Sequence, residues 1–256
     1  MRKLSNIFNV KAYKKNDNIK IHILNIKSMT PELLNLIKEY FVNICEGDSG
    51  SDIETVKIRL LEFLDKKDVT TKMGAIAEFF VHLYLNSNEY KQECLYLNLE
   101  ENSIKKGFDG YYSKDKEEWI MESKSGTIST KNISHPSKIK EAYDDLKGKV
   151  EGNVNNNPWR NAYNHAQLID VSASRDIRNN LKKISDEFTN SKYHDISEFN
   201  IIPTSTIFLE DRWLDIDEKD ICRLLVKKIN KFNFKKILIV CLTKQSLELI
   251  YEFLEN

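Results

Sequence analysis

The chain carries no net charge. Its 39 Lys and Arg balance 39 Asp and Glu over 256 residues. That disfavours a uniformly basic protein that coats DNA by displacing counterions. Long apolar runs are also missing. The longest, Ile237–Leu242, is far too short for a bilayer core of about 30 Å, so an integral membrane protein is not expected. The opening residues, MRKLSNIFNVKAYKK, hold no unbroken apolar stretch, and a secretory leader is not expected. Cysteine is scarce. Cys45, Cys94, Cys222 and Cys241 form no C-x-x-C pair and sit among apolar neighbours, which reads as buried free thiols in a reducing cytoplasm. There is no internal repeat, Walker loop, G-x-G-x-x-G or Ser-His-Asp order. An ATPase, a dinucleotide enzyme and a hydrolase triad therefore lack support.

What is present is material for a core, with 41% hydrophobic residues. Lys20–Ile26 alternates apolar and polar, as a half-buried strand does. Thr30-Pro31-Glu32 opens a helix to about Cys45, with a cap, a proline in the first turn and an early acid. Gly47–Asp52 is a turn, and a second amphipathic helix covers about Asp52 to Lys66. A third starts near Thr70 and carries MGAIAEFFVHLYL, apolar on nearly every face and so buried.

The period then changes. Glu93–Leu99, Gly107–Tyr112 and Glu118–Lys124 read as strands, the last two joined as a hairpin through Ser113–Glu117. A Ser/Thr/Lys/Gly-rich loop covers Ser125–Ser134, and a polar helix spans about Ser137 to Val150. Gly152–Pro158 is a surface loop. A helical stretch follows from Trp159 to Asn190, with a break expected near Val171–Ser174. Strand, helix, strand and helix close the chain at Phe199–Leu209, Glu218–Asn230, Lys235–Leu242 and Gln245–Leu254. That order implies crossovers and some parallel pairing. The expectation is one α/β domain over 1–256. A strand and helices fill 1–69, a mixed sheet flanked by helices forms the core over 70–210, and 211–256 completes the sheet.

The sharpest feature is GFDGYYSKDKEEWIMESKSG, Gly107–Gly126. Residues two apart on a strand share a face, so Glu122 and Lys124 project together. If the hairpin forms, Asp109 comes to lie beside Glu122. Two carboxylates at the end of a buried strand pair are costly unless they are paired or metal-bound. Hard oxygen donors suit Mg²⁺ or Mn²⁺. Such an ion polarises a phosphoryl oxygen and acidifies a bound water, and a nearby lysine stabilises the developing charge. The same spacing also suits a salt-bridged hairpin, with Asp109 and Glu122 paired to Lys124 or Lys106. Glu78 is an acid in the nearly all-apolar helix just upstream, with His82 one turn later. The pair reads either as a surface contact or as a third metal-side acid with a supporting histidine.

A helix acid, then Asp, then Glu-x-Lys across a hairpin resembles the PD-(D/E)XK nuclease superfamily. The resemblance implies a restriction-endonuclease-like core, with Glu78, Asp109 and Glu122 ligating Mg²⁺ or Mn²⁺ and Lys124 assisting the attacking water. Two departures stand out. Phe108 precedes the aspartate where the pattern has proline. The Gln-x-x-x-Tyr element of the exonuclease branch is missing, because Tyr163 and Gln167 occur in reversed order. Within the superfamily, Met73–Lys124 is similar to the nuclease subunits (HamA) of Hachiman-type antiphage defence. That similarity implies a DNA substrate, a cytoplasmic effector role and a superfamily 2 helicase partner.

Lys131, Lys138 and Lys140 follow the motif with no acid between them, and Arg160 lies further on. The three lysines suit phosphate contacts and equally suit a solvated loop, whereas Arg160, which could continue a phosphate track, reads more as part of a solvated face. Arg175, Arg178, Lys182 and Lys183 read mainly as a solvated face, and Trp159 and Trp213 as core closures. A catalytically silent α/β interaction module remains the alternative to an enzyme.

Overall fold

The computed structural model describes residues 6–96, 107–210, 213–214 and 216–255. A seven-stranded mixed sheet is flanked on both faces by helices. The strands are β1 (Lys11–Asn16), β2 (Ile19–Ile26), β3 (Lys91–Gln92), β4 (Gly110–Lys114), β5 (Glu117–Thr127), β6 (Asn200–Phe208) and β7 (Lys236–Lys244). The helices are α1 (Pro31–Glu46), α2 (Ile53–Asp65), α3 (Val69–Ser87), α4 (His135–Val150), α5 (Pro158–Ala166), α6 (Arg175–Thr189), α7 (Glu218–Ile229) and α8 (Glu248–Leu254). The sheet order is β1-β2-β7-β6-β5-β4-β3. The four central strands, β2, β7, β6 and β5, run parallel, and antiparallel pairs close both edges.

The two sides of the sheet follow from strand alternation. Trp119 and Met121 of β5 face α1, α2, α3 and α8. Ile120 faces α4, α5, α6 and α7. Central parallel strands are covered on both faces, so they read as near-continuous apolar runs. All nine residues of β6 are buried. Pro203 sits inside this central strand, where it cannot donate to the ladder, and β6–β7 register pairing skips it. Among the described residues, no helix is long and apolar enough to cross a membrane.

Local chemistry sets the helix starts. Thr30 caps α1, Asp52 caps α2 and Asp68 caps α3 through side-chain oxygens. Ser134 and Ser137 form a reciprocal capping box at α4, worth about 1 kcal/mol for such a cap. The expected break in the Trp159–Asn190 stretch occurs at 167–174, with Ser172 in the left-handed region.

Several expectations are corrected. The strand expected at Glu93–Leu99 is instead Lys91–Gln92, and residues 97–99 lie outside the described residues, as does Lys106. The next strand begins at Gly110 rather than Gly107, which leaves Asp109 on a bend ahead of it. The hairpin turn is tighter than Ser113–Glu117. Lys114 pairs with Glu117, and Asp115 and Lys116 both take positive φ, as a two-residue type I′ turn demands. The sheet core is not confined to 70–210 and the C-terminal part, because the N-terminal portion contributes to it. Its strand β2 lies inside the sheet, paired with β7.

Candidate active site

Gly110 opposes Met121 in the β4–β5 register. A Cβ on Gly110 would stand 2.6 Å from Tyr112 Cε2 and 2.9 Å from Met121 Cε, so glycine permits this close approach. Past that pair the β4 ladder ends. The backbone N–H of Ser123 then donates to Asp109 Oδ2 at 2.7 Å. A side chain thus continues the ladder where the backbone stops, and satisfies a part-buried donor. This contact brings Asp109 to the neighbourhood of Glu122, as the hairpin reading expected.

Glu122 and Lys124 share the face of β5 that α4 covers, the face opposite Met121. Glu122 is buried. Its Oε1 lies 3.2 Å from Lys124 Nζ, and its Oε2 accepts from Lys149 Nζ of α4. Lys124 Nζ also lies 2.5 Å from Asp145 Oδ2, one turn before Lys149 on the same helix. Burial raises the Glu122 carboxyl, and repulsion by Asp109 raises it further; Lys149 and Lys124 oppose both, leaving it at about 7. Burial alone would lower the Lys124 ammonium. The carboxylates of Glu122, Asp145 and Asp109 outweigh it and hold Lys124 firmly protonated.

Asp145 and Lys149 escaped the sequence reading. The available signal was helical periodicity. They flank the buried stripe Ala142–Leu146–Val150 of α4, so they stand at its edge, facing β5. A cavity of about 470 Å³ opens beside them, lined by Asp144, Asp145, Gly148, Lys149, Glu151 and Asn153 among others.

Glu78 lies on α3, which packs on the Trp119–Met121 face, and it is half-buried. Its charge acts on the hydroxyls of Tyr96 and Tyr112, which burial first and foremost pushes up. Asp109 acts on the same Tyr112 hydroxyl. Among the described residues, no group of three or more His, Cys, Asp or Glu is placed to hold a metal ion. His82 is fully buried, and its Nδ1 hydrogen-bonds the Tyr112 hydroxyl, which excludes the surface-pair reading.

The expected phosphate contacts divide. Lys138 lies near the end of β5, with its Cε 3.6 Å from where a Cβ of Gly126 would stand, and it pairs with Glu141 at 2.9 Å. Lys140 is exposed and paired with Asp144. Lys131 is exposed on the 128–134 loop. Arg160 is exposed on α5, 5.7 Å from the Tyr163 ring. Its neighbour Asn161 lies against Gly107, so α5 borders the segment that leads to Asp109. Lys182 and Lys183 pair along α6 with Asp186 and Glu187, as a solvated face does. Trp159 is fully buried against Phe108 and Phe199.

Two carboxylates from adjoining backbone segments, with one protonated lysine, can hold a divalent cation and stabilise a negatively charged transition state. Compared with known proteins, the chain matches no family model and no curated protein.

Proposed function

We propose that the chain is a Mg²⁺- or Mn²⁺-dependent nuclease that hydrolyses DNA phosphodiester bonds, centred on Asp109, Glu122 and Lys124. The observation that supports this best is the Asp109–Ser123 hydrogen bond, which holds one carboxylate beside the other with Lys124 on the same face. The donors fit the ion: both carboxylates offer hard oxygens, which Mg²⁺ and Mn²⁺ prefer. In this reading Asp109 and Glu122 hold the metal, while Glu78 belongs to α3, which packs on the Trp119–Met121 face of the sheet. A bound ion supplies a polarised phosphoryl oxygen and an acidified water.

The protein's own residues do the rest. Lys124 donates hydrogen bonds to charge that builds on the phosphoryl group, where fixed donors count most. Asp145 aims that ammonium and keeps it charged. Lys131, Lys138 and Arg160 contact the DNA backbone and fix its position without reading sequence. Lys140 joins them at the exposed side of α4. The wider role, an antiphage effector governed by a superfamily 2 helicase, rests on the resemblance of Met73–Lys124 alone.

A second reading has its own support. Both Glu122 oxygens meet lysines, and this ionic cluster pins α4 to β5. A catalytically silent interaction module would keep such a pin. Plasmid cleavage in Mg²⁺ or Mn²⁺, with and without the helicase partner, separates the two. A nuclease cuts and loses cutting on Glu122→Ala or Lys124→Ala; a silent module cuts nothing.

A further inference from the structure

Glu122 is met by two ammonium groups, and they are not equivalent. Lys124 belongs to the same strand as Glu122, and its ammonium has a second anchor 2.5 Å away at Asp145. Lys149 reaches across from α4, and among the described residues its ion pair is with Glu122. Its side chain is 17% exposed, against 3% for Glu122, so it stands between the carboxylate and solvent.

We propose that the Lys149 ammonium holds the divalent cation's place at Glu122 and is the group that a metal ion displaces on binding. The inference rests on the metal-site reading above. A buried carboxylate is costly unless a counter-charge meets it. Lys149 supplies it when no metal is bound. A divalent ion on the same oxygen would stand within a few ångströms of that ammonium and repel it, in surroundings that screen charge weakly.

The displaced side chain has somewhere to go. The cavity of about 470 Å³ beside Lys149 is lined by Asp144, Asp145 and Glu151, and by Lys147. Asp144, Asp145 and Glu151 already pair with Lys140, Lys124 and Lys147, so an ammonium that swings outward shares a carboxylate there or meets solvent, and a lysine stem has the rotamer freedom for the swing. Lys124 stays in place through Asp145. The exchange therefore removes one lysine from Glu122 and leaves the other aimed.

The test is Mn²⁺ binding to the full chain by calorimetry, comparing wild type, Lys149→Met, Lys149→Gln and Glu122→Gln, with thermal melting to confirm folding. Both Lys149 variants should bind Mn²⁺ at least tenfold more tightly than wild type, and Glu122→Gln should lose binding. Lysine acylation read by mass spectrometry gives a second readout on wild type alone: Mn²⁺ should increase labelling of Lys149. If wild type binds Mn²⁺ through Glu122, but the Lys149 variants bind no more tightly and labelling does not rise, displacement is wrong and the metal site stands. If neither wild type nor the Lys149 variants bind Mn²⁺, both readings fall.

Discussion

Asp109 accepts a hydrogen bond from the backbone N–H of Ser123 at 2.7 Å, so one side chain completes a strand ladder and also supplies a carboxylate to the proposed site. The two roles separate by substitution. Asp109→Asn keeps an acceptor oxygen and should cost less than about 1 kcal/mol of stability. Asp109→Ala leaves the Ser123 donor unmet and should cost about 1–3 kcal/mol. Urea unfolding measures both. Each variant should abolish metal-dependent cleavage.

Glu122 gives a pH signature in metal-free buffer. Its folded carboxyl titrates at about 7, against an ordinary value of 4.5. The folded state therefore holds the proton more tightly, and this group's contribution to stability falls as pH rises from 4.5 to 7. Glu122→Gln lacks that loss. The melting temperature of the variant minus that of wild type should climb between pH 4.5 and 7 and then level off. A flat difference would show that Glu122 is not held in a buried, repelled state.

His135 behaves in the opposite sense. It is buried at the start of α4, with Nδ1 2.9 Å from Ser205 Oγ and Nε2 3.0 Å from Thr243 Oγ1. Burial pulls its pKa down to about 4. The neutral ring is thus favoured in the folded state, and its contribution is full above about 6.5 and lost as pH falls toward 4. His135→Gln should weaken folding at pH 7, and the gap to wild type should narrow across that window in urea melts.

Lys244 is a buried lysine at the end of β7, against the rings of Phe80 and Phe208 at 4.7 and 5.8 Å, with Nζ 2.5 Å from the Ser246 carbonyl oxygen. Burial lowers its pKa to about 7. Wild-type stability should therefore rise between pH 7 and 10 relative to Lys244→Met. At pH 7 the variant should be as stable or more so, because a well-packed apolar group replaces a desolvated charge.

Sequence patterning carried the helix starts and the carboxylate pair, and each success has a local cause. Caps such as Thr30 and Asp52 act within one turn. Asp109 comes near Glu122 because hairpin pairing is short-range and the Ser123 N–H holds the carboxylate there. The misses are long-range or lack a marker. The Asp115–Lys116 turn has neither glycine nor asparagine to announce its positive φ. β1, KAYKKN, is a mostly exposed edge strand without apolar alternation. Lys149 meets Glu122 across 27 residues, a contact that only the packing of α4 on β5 creates. His82 turned inward to Tyr112 because its helix has no solvent face there.

Asp109, Glu122 and Lys124 are proposed to form a metal-dependent DNA-cleaving site. The most direct measurement is a plasmid-cleavage time course in Mg²⁺ and in Mn²⁺, with the candidate helicase partner present. Asp109→Asn and Lys124→Met, each shown by thermal melting to be folded, run beside wild type. Wild type should nick or linearise the plasmid, chelation with EDTA should stop it, and both variants should fall at least a hundredfold in rate. Wild type that leaves the plasmid intact in both metals, or folded variants that cut as fast as wild type, would contradict the claim.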